Sequence, residues 1–378
     1  MQRQTIAEIN LAALRANYRT LCRLAGSAQI IAVVKANAYG HGALGVARCL
    51  AAEGARTFAV VTLNEAGELR QAGIAQDILV MGVVDPQRAG EALEQDVIVT
   101  VHGLEHGGAL ERAAAGCAAS GGRPKRLRCH LKVDTGMGRL GVPFEEAAAL
   151  AAGLATSRSL ALEGLMSHMS HADAPDPDIT EAQLANFRRV IAECGSRGLR
   201  PAVIHAANSG TLLRWPQAAF DAARPGLALY GVSPVPEKTQ HVTLRPVLTL
   251  KSAVALIKEV QPGQGVSYDH AWRAAVPSRI AALPVGYADG YRRVLSNRAV
   301  VRIAGQLAPV VGSVCMDTTL IDVTAVPQAQ VGSSVVLLEA EADSPLSAWA
   351  LARAVGTVPH EIFTGLGPRV ARVLVERD

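Results

Sequence analysis

Eight short apolar runs alternate with amphipathic, alanine-rich segments over residues 29–230, and this alternation constrains the fold more than any other feature of the chain. Apolar runs of this length are typical of buried β-strands, whereas the segments between them have the periodicity of helices. Repeated strand–helix units over this length predict an α/β fold whose strands close into a (β/α)8, TIM-like barrel. An open doubly wound sheet is the alternative, but no GxGxxG sequence directly follows the first run, since the pattern GHGALG begins only at Gly40.

The predicted strands are rich in β-branched and other apolar residues. They are Gln29–Val34, Thr57–Val61, Ile78–Gly82, Val97–Val101, Leu127–Val133, Leu160–Ser167, Pro201–His205 and Ala219–Tyr230. Helices are predicted between them, where apolar residues recur every three or four positions. Examples are Asn64–Gln71, Pro86–Glu94, Leu104–Ala119, Pro143–Ala155 and Ile179–Gly195.

The pattern changes after Gly231. The stretch VSPVPEKTQ, residues 232–240, is rich in proline and has no helical pattern, so we predict a domain boundary there. Beyond it, valine and threonine alternate with polar residues in short runs, which is typical of β-structure, and one late helix is predicted at Ser344–Val355. We therefore expect a barrel domain over residues 1–233 and a C-terminal β-rich domain over residues 234–378.

Composition and charge exclude several classes of protein. A hydrophobic content of 49% and a charged content of 19% suit a globular protein with a large core. No apolar run reaches the ~18 residues of a membrane span, and the N-terminus lacks the apolar core of a signal peptide, so a cytoplasmic protein without membrane contact is expected. A net charge of +4 without a basic stripe argues against nucleic-acid binding. None of the six cysteines lies within three residues of another, so no metal site is expected.

The first predicted strand ends in a lysine, within the stretch IIAVVKANAYGHG. Lys35 thus stands near the carboxyl end of a buried strand, where both open and closed α/β folds bind their ligands. The lysine could simply extend its amine to solvent along its apolar stem. Alternatively, a desolvated amine with a lowered pKa would suit Schiff-base chemistry.

Four further clusters of polar residues lie at or just after the ends of predicted strands. In a barrel these ends converge on one mouth, so the five segments would share one site, although each alone is also compatible with a cap or a turn. The five segments are KANAYGHG with Lys35 and Tyr39, KVDTGMGRLG with Lys132, Asp134 and Arg139, SHMSHAD with His168, HAANSG with Asn208 and Ser209, and RPGLALYG with Arg224 and Gly226.

These stretches resemble the alanine racemase family, whose members use pyridoxal 5′-phosphate (PLP) on fold type III. The motifs GVSYDHAW, LPVGYADGY and VGSVCMD also match, in the family's order. The resemblance implies a PLP-binding barrel, a β-rich second domain that is joined by a strand around Thr5–Ile9, and a head-to-tail homodimer with shared active sites. It also implies interconversion of L-alanine and D-alanine, which would supply D-alanine for cell-wall peptidoglycan.

The resemblance gives several residues a catalytic role. Lys35 would hold PLP as an aldimine and act as base on one face of the α-carbon, and Tyr268 from the other subunit would act on the opposite face. Racemisation removes a proton from one face and returns it to the other, which two opposed bases can accomplish. His168 matches the neighbour of that tyrosine, and Arg224 matches the arginine that faces the pyridine nitrogen and keeps it unprotonated.

Other matched residues would bind substrate or cofactor. Arg139 matches a residue that binds the phenolic oxygen of PLP and the substrate carboxylate, and Lys132 matches a lysine that carries a carbamate in many members and holds that arginine. The remaining matches are Tyr39, Ser209 and Gly226 at the phosphate, Met316 and Asp317 near the substrate carboxylate, and Tyr287 at the substrate entrance.

One position departs from the family pattern. The family usually has a Tyr-Glu pair near the C-terminus, and this chain has His360 in VPHEIFTGLGPRVAR. An imidazole there would contact the phosphate and admit a larger substrate, or it would point away and cap a helix. The alternatives for function are a racemase of the same framework for serine, for basic amino acids or for a broader range, a non-catalytic PLP carrier, and a fold-type-III decarboxylase.

Overall fold

Eight parallel strands form a closed barrel, as the sequence predicts. The structure is a computed structural model, and it describes residues 5–119, 126–235 and 242–377. Ala222–Ala223 pairs with both Val203–His205 and Gln29–Val33, which closes the ring. The barrel strands are Gln29–Val33, Thr57–Val60, Asp77–Val80, Ile98–Val101, Leu127–Asp134, Leu160–Met166, Val203–His205 and Ala222–Ala223. A short strand, Val142–Pro143, pairs with the fifth.

Helices connect the barrel strands. The α-helices of this part of the chain are Leu11–Ala25, Ala43–Ala52, Leu63–Gln71, Ala89–Glu94, Leu104–Ala119, Phe144–Ala155, Asp178–Ser196 and Ser209–Arg214, with 3-10 turns at Pro86–Arg88, Pro216–Ala218 and Leu227–Tyr230. The predicted strand Ala219–Tyr230 is wrong over most of its length, because only Ala222–Ala223 is extended in a sheet. Pro225, two residues after this strand, has no N–H to donate to a ladder.

The second domain is built on a six-stranded sheet, in which Ile6–Asn10 runs antiparallel to Leu248–Ala253 and parallel to Ala371–Val375. Its other strands are Val300–Ile303, Gln306–Pro309 and Ser334–Leu338. A three-stranded sheet consists of Leu256–Val260, Ser278–Leu283 and Thr319–Asp322, and a hairpin pairs Gly265–Val266 with Trp272–Arg273. The α-helices are Ala348–Val355 and Pro359–Thr364, and the 3-10 turns are Tyr268–His270, Tyr287–Asp289 and Arg293–Leu295.

The late helix is shorter than the predicted Ser344–Val355. It begins at Ala348, because the Ser347 hydroxyl accepts a hydrogen bond from the Ala350 N–H and so caps the helix. Residues 236–240 of the proline-rich hinge lie outside the described residues, and the boundary between residues 233 and 234 stays a prediction.

One hydrophobic core extends from the barrel into the second domain, since a single cluster of buried residues includes Val33 and Leu131 of the barrel and Val301 and Phe363 of the second domain. The two domains are thus packed against each other within one chain. No helix among the described residues has the length and apolar character to cross a bilayer.

Candidate active site

Lys35 lies two residues after the end of the first barrel strand and directly before a left-handed turn. The φ angles of Ala36, Asn37, Ala38 and Tyr39 are 53°, 53°, 53° and 52°. Each such residue costs roughly 1–2 kcal/mol relative to the right-handed form. Neighbouring groups must therefore hold the turn, and the backbone around Lys35 is fixed by contacts rather than by local preference.

The surroundings of Lys35 favour a neutral amine. Burial lowers the pKa of Lys35, and the charges of Arg139 and Arg224 lower it further, while Glu65 acts in the opposite direction. The Nζ atom lies 5.9 Å from the centroid of the Tyr39 ring. A half-buried amine with a lowered pKa is suited to nucleophilic attack on a carbonyl carbon.

A chain of buried polar groups leads from Arg224 across the barrel. Its Nη1 donates to Nδ1 of His205 over 2.6 Å, and His205 Nε2 lies 2.8 Å from Nδ1 of His130. Because guanidinium can only donate, His205 accepts at Nδ1 and carries its proton on Nε2. Burial lowers the pKa of His130 to about 3 and that of Arg224 to about 10, so this chain couples a cation to neutral imidazoles.

Sequence reasoning missed His130 and His205. Each interrupts an apolar strand run with a polar side chain, and that interruption was the available signal. Gly164 makes the space for one of them, since a Cβ atom on this glycine would lie 2.5 Å from the His130 ring.

His168 lies beside Arg224, as the clustering of strand ends predicts. Arg224 Nη2 lies 3.3 Å from its Nδ1, and the Asn208 amide nitrogen lies 3.5 Å from its Nε2. Burial lowers the pKa of His168 well below its usual range, and Arg224 and Lys132 lower it further, so the ring is neutral. Among the described residues of one chain, no hydrogen bond joins His168 to Tyr268.

Tyr39, Ser209 and Gly226 form a small polar cradle. The Ser209 hydroxyl oxygen accepts from the N–H groups of Gly226 and Ala228 at 2.9 and 3.2 Å. A Cβ atom on Gly226 would lie 2.2 Å from the Tyr39 hydroxyl, so only glycine lets that hydroxyl approach the backbone. Burial raises the pKa of Tyr39 to about 12, which keeps the phenol a hydrogen-bond donor. Hydroxyl and backbone donors of this kind fit a phosphate group.

His360 borders this cradle from the second domain of the same chain. Its ring centroid lies 5.7 Å from that of Tyr39, and it belongs to the helix Pro359–Thr364, which packs against the turn after Lys35. Although His360 is exposed, desolvation by the surrounding protein and the charge of Lys35 lower its pKa, while Asp173 opposes them.

Lys132 lies near the end of the fifth barrel strand, just before a glycine-rich loop. The Asp134 carboxylate accepts from the N–H groups of Gly136, Met137 and Gly138, which shapes the turn. Lys132 is 7% exposed, and burial lowers its pKa well below the usual range, with Arg224 and Arg139 acting in the same direction. Burial and these two cations therefore favour the neutral, nucleophilic form of the amine. Arg139 is exposed and, within the described chain, forms no hydrogen bond with Lys132.

Tyr268, Tyr287 and Met316 are brought together on the second domain by loop contacts, and we call the surface around them the tyrosine face. The Ser267 hydroxyl donates to the Ser313 carbonyl at 2.8 Å, and the Tyr287 N–H donates to the Cys315 carbonyl at 3.0 Å. The three side chains are 67%, 42% and 53% exposed in the single chain.

Asp317 lies next to this face. Its carboxylate forms an ion pair with Arg369, with Oδ1 2.5 Å from Nη2. The ion pair ties the loop that contains Met316 to the C-terminal segment. Asp317 is thus held by an ion pair within the chain, and its place near the substrate carboxylate stays a prediction.

Comparison with known proteins gives consistent results along the whole chain. The sequence pattern of the alanine racemase N-terminal domain matches residues 9–234, and that of the C-terminal domain matches residues 247–374. The alanine racemase of Syntrophobacter fumaroxidans is 43% identical over 361 residues, which cover 95% of this chain and 94% of that protein. The alanine racemase of Sorangium cellulosum is 42% identical over 381 residues, with 98% of both chains covered.

Solved structures show the same likeness. The crystal structure of alanine racemase from D-cycloserine-producing Streptomyces lavendulae is 37% identical, with a TM-score of 0.91, and 100% of this chain and 98% of that chain are covered. The structure of alanine racemase from Bacillus anthracis with bound L-Ala-P is 33% identical, with a TM-score of 0.89, over 100% of this chain and 96% of that chain.

Proposed function

This chain belongs to the alanine racemase family, and from that premise we propose that it interconverts L-alanine and D-alanine with PLP as its cofactor. One observation carries the proposal. The half-buried Lys35, whose pKa is lowered, lies on the same turn as Tyr39 of the polar cradle. An amine for a carbonyl and donors for a phosphate are what PLP requires of a protein.

Different residues at the barrel mouth would bind different parts of PLP. When bound, PLP withdraws electrons from the α-carbon of the amino acid and so makes its proton acidic. Lys35 would bind the carbonyl carbon, while Tyr39, Ser209 and Gly226 would bind the phosphate, with the Gly226 N–H exchanging the Ser209 hydroxyl for a phosphate oxygen. Arg224, which is buried and cationic, would donate to the ring nitrogen and keep it unprotonated.

Proton transfer would need groups from two chains. We assign Lys35 to one face of the α-carbon and the partner subunit's Tyr268 to the other, with His168 beside that tyrosine. The 67% exposure of Tyr268 in the single chain supports a partner that covers it. Tyr287 and Met316, on the same tyrosine face, would then line the substrate entrance and the site near the carboxylate.

Arg139 would bind the substrate carboxylate, and a carbamate on Lys132 would hold its guanidinium. The lowered pKa of the buried Lys132 amine supports this, since carbon dioxide reacts with the uncharged form of an amine. Asp317, which forms an ion pair with Arg369, would lie near the substrate carboxylate. The biological setting that we propose is a cytoplasmic homodimer that supplies D-alanine for peptidoglycan.

Incubation of the PLP-loaded protein with L-alanine, followed by chiral chromatography, tests the proposed reaction. We expect an equal mixture of the two enantiomers, and none from a Lys35→Ala variant. A panel that includes serine, lysine and arginine separates alanine racemisation from the alternative of a different or broader specificity. Carbon dioxide release or lack of any turnover would instead identify a decarboxylase or a PLP carrier.

A further inference from the structure

One carboxylate connects the turn after Lys35 to a neighbouring helix. Glu65 Oε1 accepts the N–H of Ala36 at 2.6 Å, and its Oε2 accepts the N–H groups of Val61 and Thr62 at 2.8 and 3.1 Å. The Thr62 hydroxyl in turn accepts the Glu65 N–H at 3.2 Å, which completes a capping box at the start of helix Leu63–Gln71.

The two oxygens of Glu65 therefore have separate tasks. Oε2 satisfies the helix start, whereas Oε1 binds Ala36, the first left-handed residue and the direct neighbour of Lys35. Hydrogen bonds to a charged acceptor are stronger than neutral ones. The bond from Ala36 is thus suited to stabilise a backbone conformation that is unfavourable by itself.

We propose that Glu65 is a positioning residue for Lys35, which fixes the backbone of the left-handed turn through Ala36 and places a negative charge near the amine. The proposal rests on the proposed function only for the role of Lys35 as the residue that binds PLP. Glu65 itself touches neither the amine nor the reacting atoms through any hydrogen bond found among the described residues.

Glu65 acts on the pKa of the Lys35 amine in the opposite direction to the two neighbouring arginines. Arg139 and Arg224 disfavour the ammonium form, and Glu65 favours it. His168 and His360 also face the amine, but burial lowers the pKa of both imidazoles, so they add little positive charge at neutral pH. Removal of the carboxylate should therefore make the amine easier to deprotonate.

The test compares Glu65→Gln with Glu68→Gln, an exposed position three residues further along the same helix. Glutamine also serves in a capping box, so the helix start is retained, but its second polar atom is an NH2 group that cannot accept from Ala36. The first readout is competitive acetylation of the cofactor-free protein across a pH series, with the Lys35 peptide followed by mass spectrometry. The second is the dissociation constant of PLP.

For Glu65→Gln we expect the midpoint of Lys35 acetylation to move down by about half a pH unit and PLP to bind about tenfold more weakly. For Glu68→Gln both values should equal those of the unaltered protein. An unchanged or higher midpoint, unchanged PLP affinity, or an unfolded Glu65→Gln protein would each overturn the positioning role. Acetylation needs no cofactor, so it remains informative even if the unaltered protein fails to bind PLP.

Discussion

Arg224 is a buried cation whose acceptors are imidazole nitrogens and carbonyl oxygens. Its two terminal nitrogens donate to His205 Nδ1 and to the Ser167 carbonyl, each over 2.6 Å. Burial lowers the pKa values of His168 and His205 well below the usual range, so these rings do not repel the guanidinium at neutral pH. The guanidinium of Arg224 thus keeps a positive charge that no neighbouring anion neutralises among these contacts, and it can interact with an electron-rich atom of a ligand.

His41 provides a prediction about stability and pH. Its Nδ1 donates to the carbonyls of Ala38 and Tyr39 at 3.0 and 2.9 Å, and its Nε2 is buried with no hydrogen-bond partner among the residues that the structure describes. Burial lowers the pKa of His41 from 6.5 to about 4, so between these values the unfolded chain binds a proton that the folded chain does not. The free energy of unfolding should therefore fall as the pH is lowered through this range, by about 3 kcal/mol for this residue.

Urea unfolding of the cofactor-free protein at several pH values measures this effect. A His41→Phe variant should lose part of the pH dependence, although it will be less stable at neutral pH because two carbonyls lose their donor. An identical slope in both proteins would contradict this, because it would mean that His41 binds its proton equally in the folded and unfolded states.

His360 provides a prediction about the cofactor. Its ring lies beside Tyr39 of the polar cradle, where a bound phosphate dianion would favour the cationic imidazole. PLP affinity should therefore weaken as the pH rises through the pKa of His360 in the complex. His360→Tyr should remove this dependence and lower the turnover of serine relative to alanine. If both measurements are the same in the two proteins, His360 has no part in binding.

The left-handed turn is the element that links the two domains at the site. Arg372 of the second domain donates to the Gly40 carbonyl at 2.8 Å, and the carbonyl of Phe363 abuts the same glycine. A Cβ atom on Gly40 would lie 2.2 Å from that carbonyl oxygen, at a φ of 78°. The turn and the helix Pro359–Thr364 are therefore in backbone-to-backbone contact.

Gly40→Ala tests how much this close contact contributes. Gly26→Ala is the matched control, because Gly26 also has a positive φ of 63° but a Cβ atom there would meet nothing within 4 Å. Both variants carry backbone strain, and only Gly40→Ala adds a clash. We expect Gly40→Ala to lower the free energy of unfolding by about 1–3 kcal/mol more than the control. Equal losses in thermal or urea unfolding would show that the turn and helix separate easily.

The order of elements could be predicted from the sequence because buried parallel strands are continuous apolar runs with helical segments between them. The left-handed turn could not, since none of the residues Ala36–Tyr39 is a glycine and long-range contacts from Glu65 and Arg372 hold it. The imidazole chain of His130 and His205 could not either, because its pairing depends on the barrel's closure across distant strands.

At the scale of the whole molecule, the residues proposed for catalysis lie in two domains. Lys35 and Arg224 are in the barrel, whereas Tyr268 and Met316 are exposed on the tyrosine face of the second domain. No hydrogen bond joins Tyr268 to His168 among the described residues of one chain. A second copy that places its tyrosine face against the barrel mouth would complete the site.

Mixed dimers test this central claim most directly. Chains with Lys35→Ala and chains with Tyr268→Phe should each racemise alanine poorly, and dimers that contain one of each should have one intact site. We expect D-alanine formation to recover when the two proteins are unfolded and refolded together, up to about a quarter of the unaltered activity if subunits pair at random. No recovery, with mixed dimers demonstrated by mass spectrometry, would contradict a site shared between subunits.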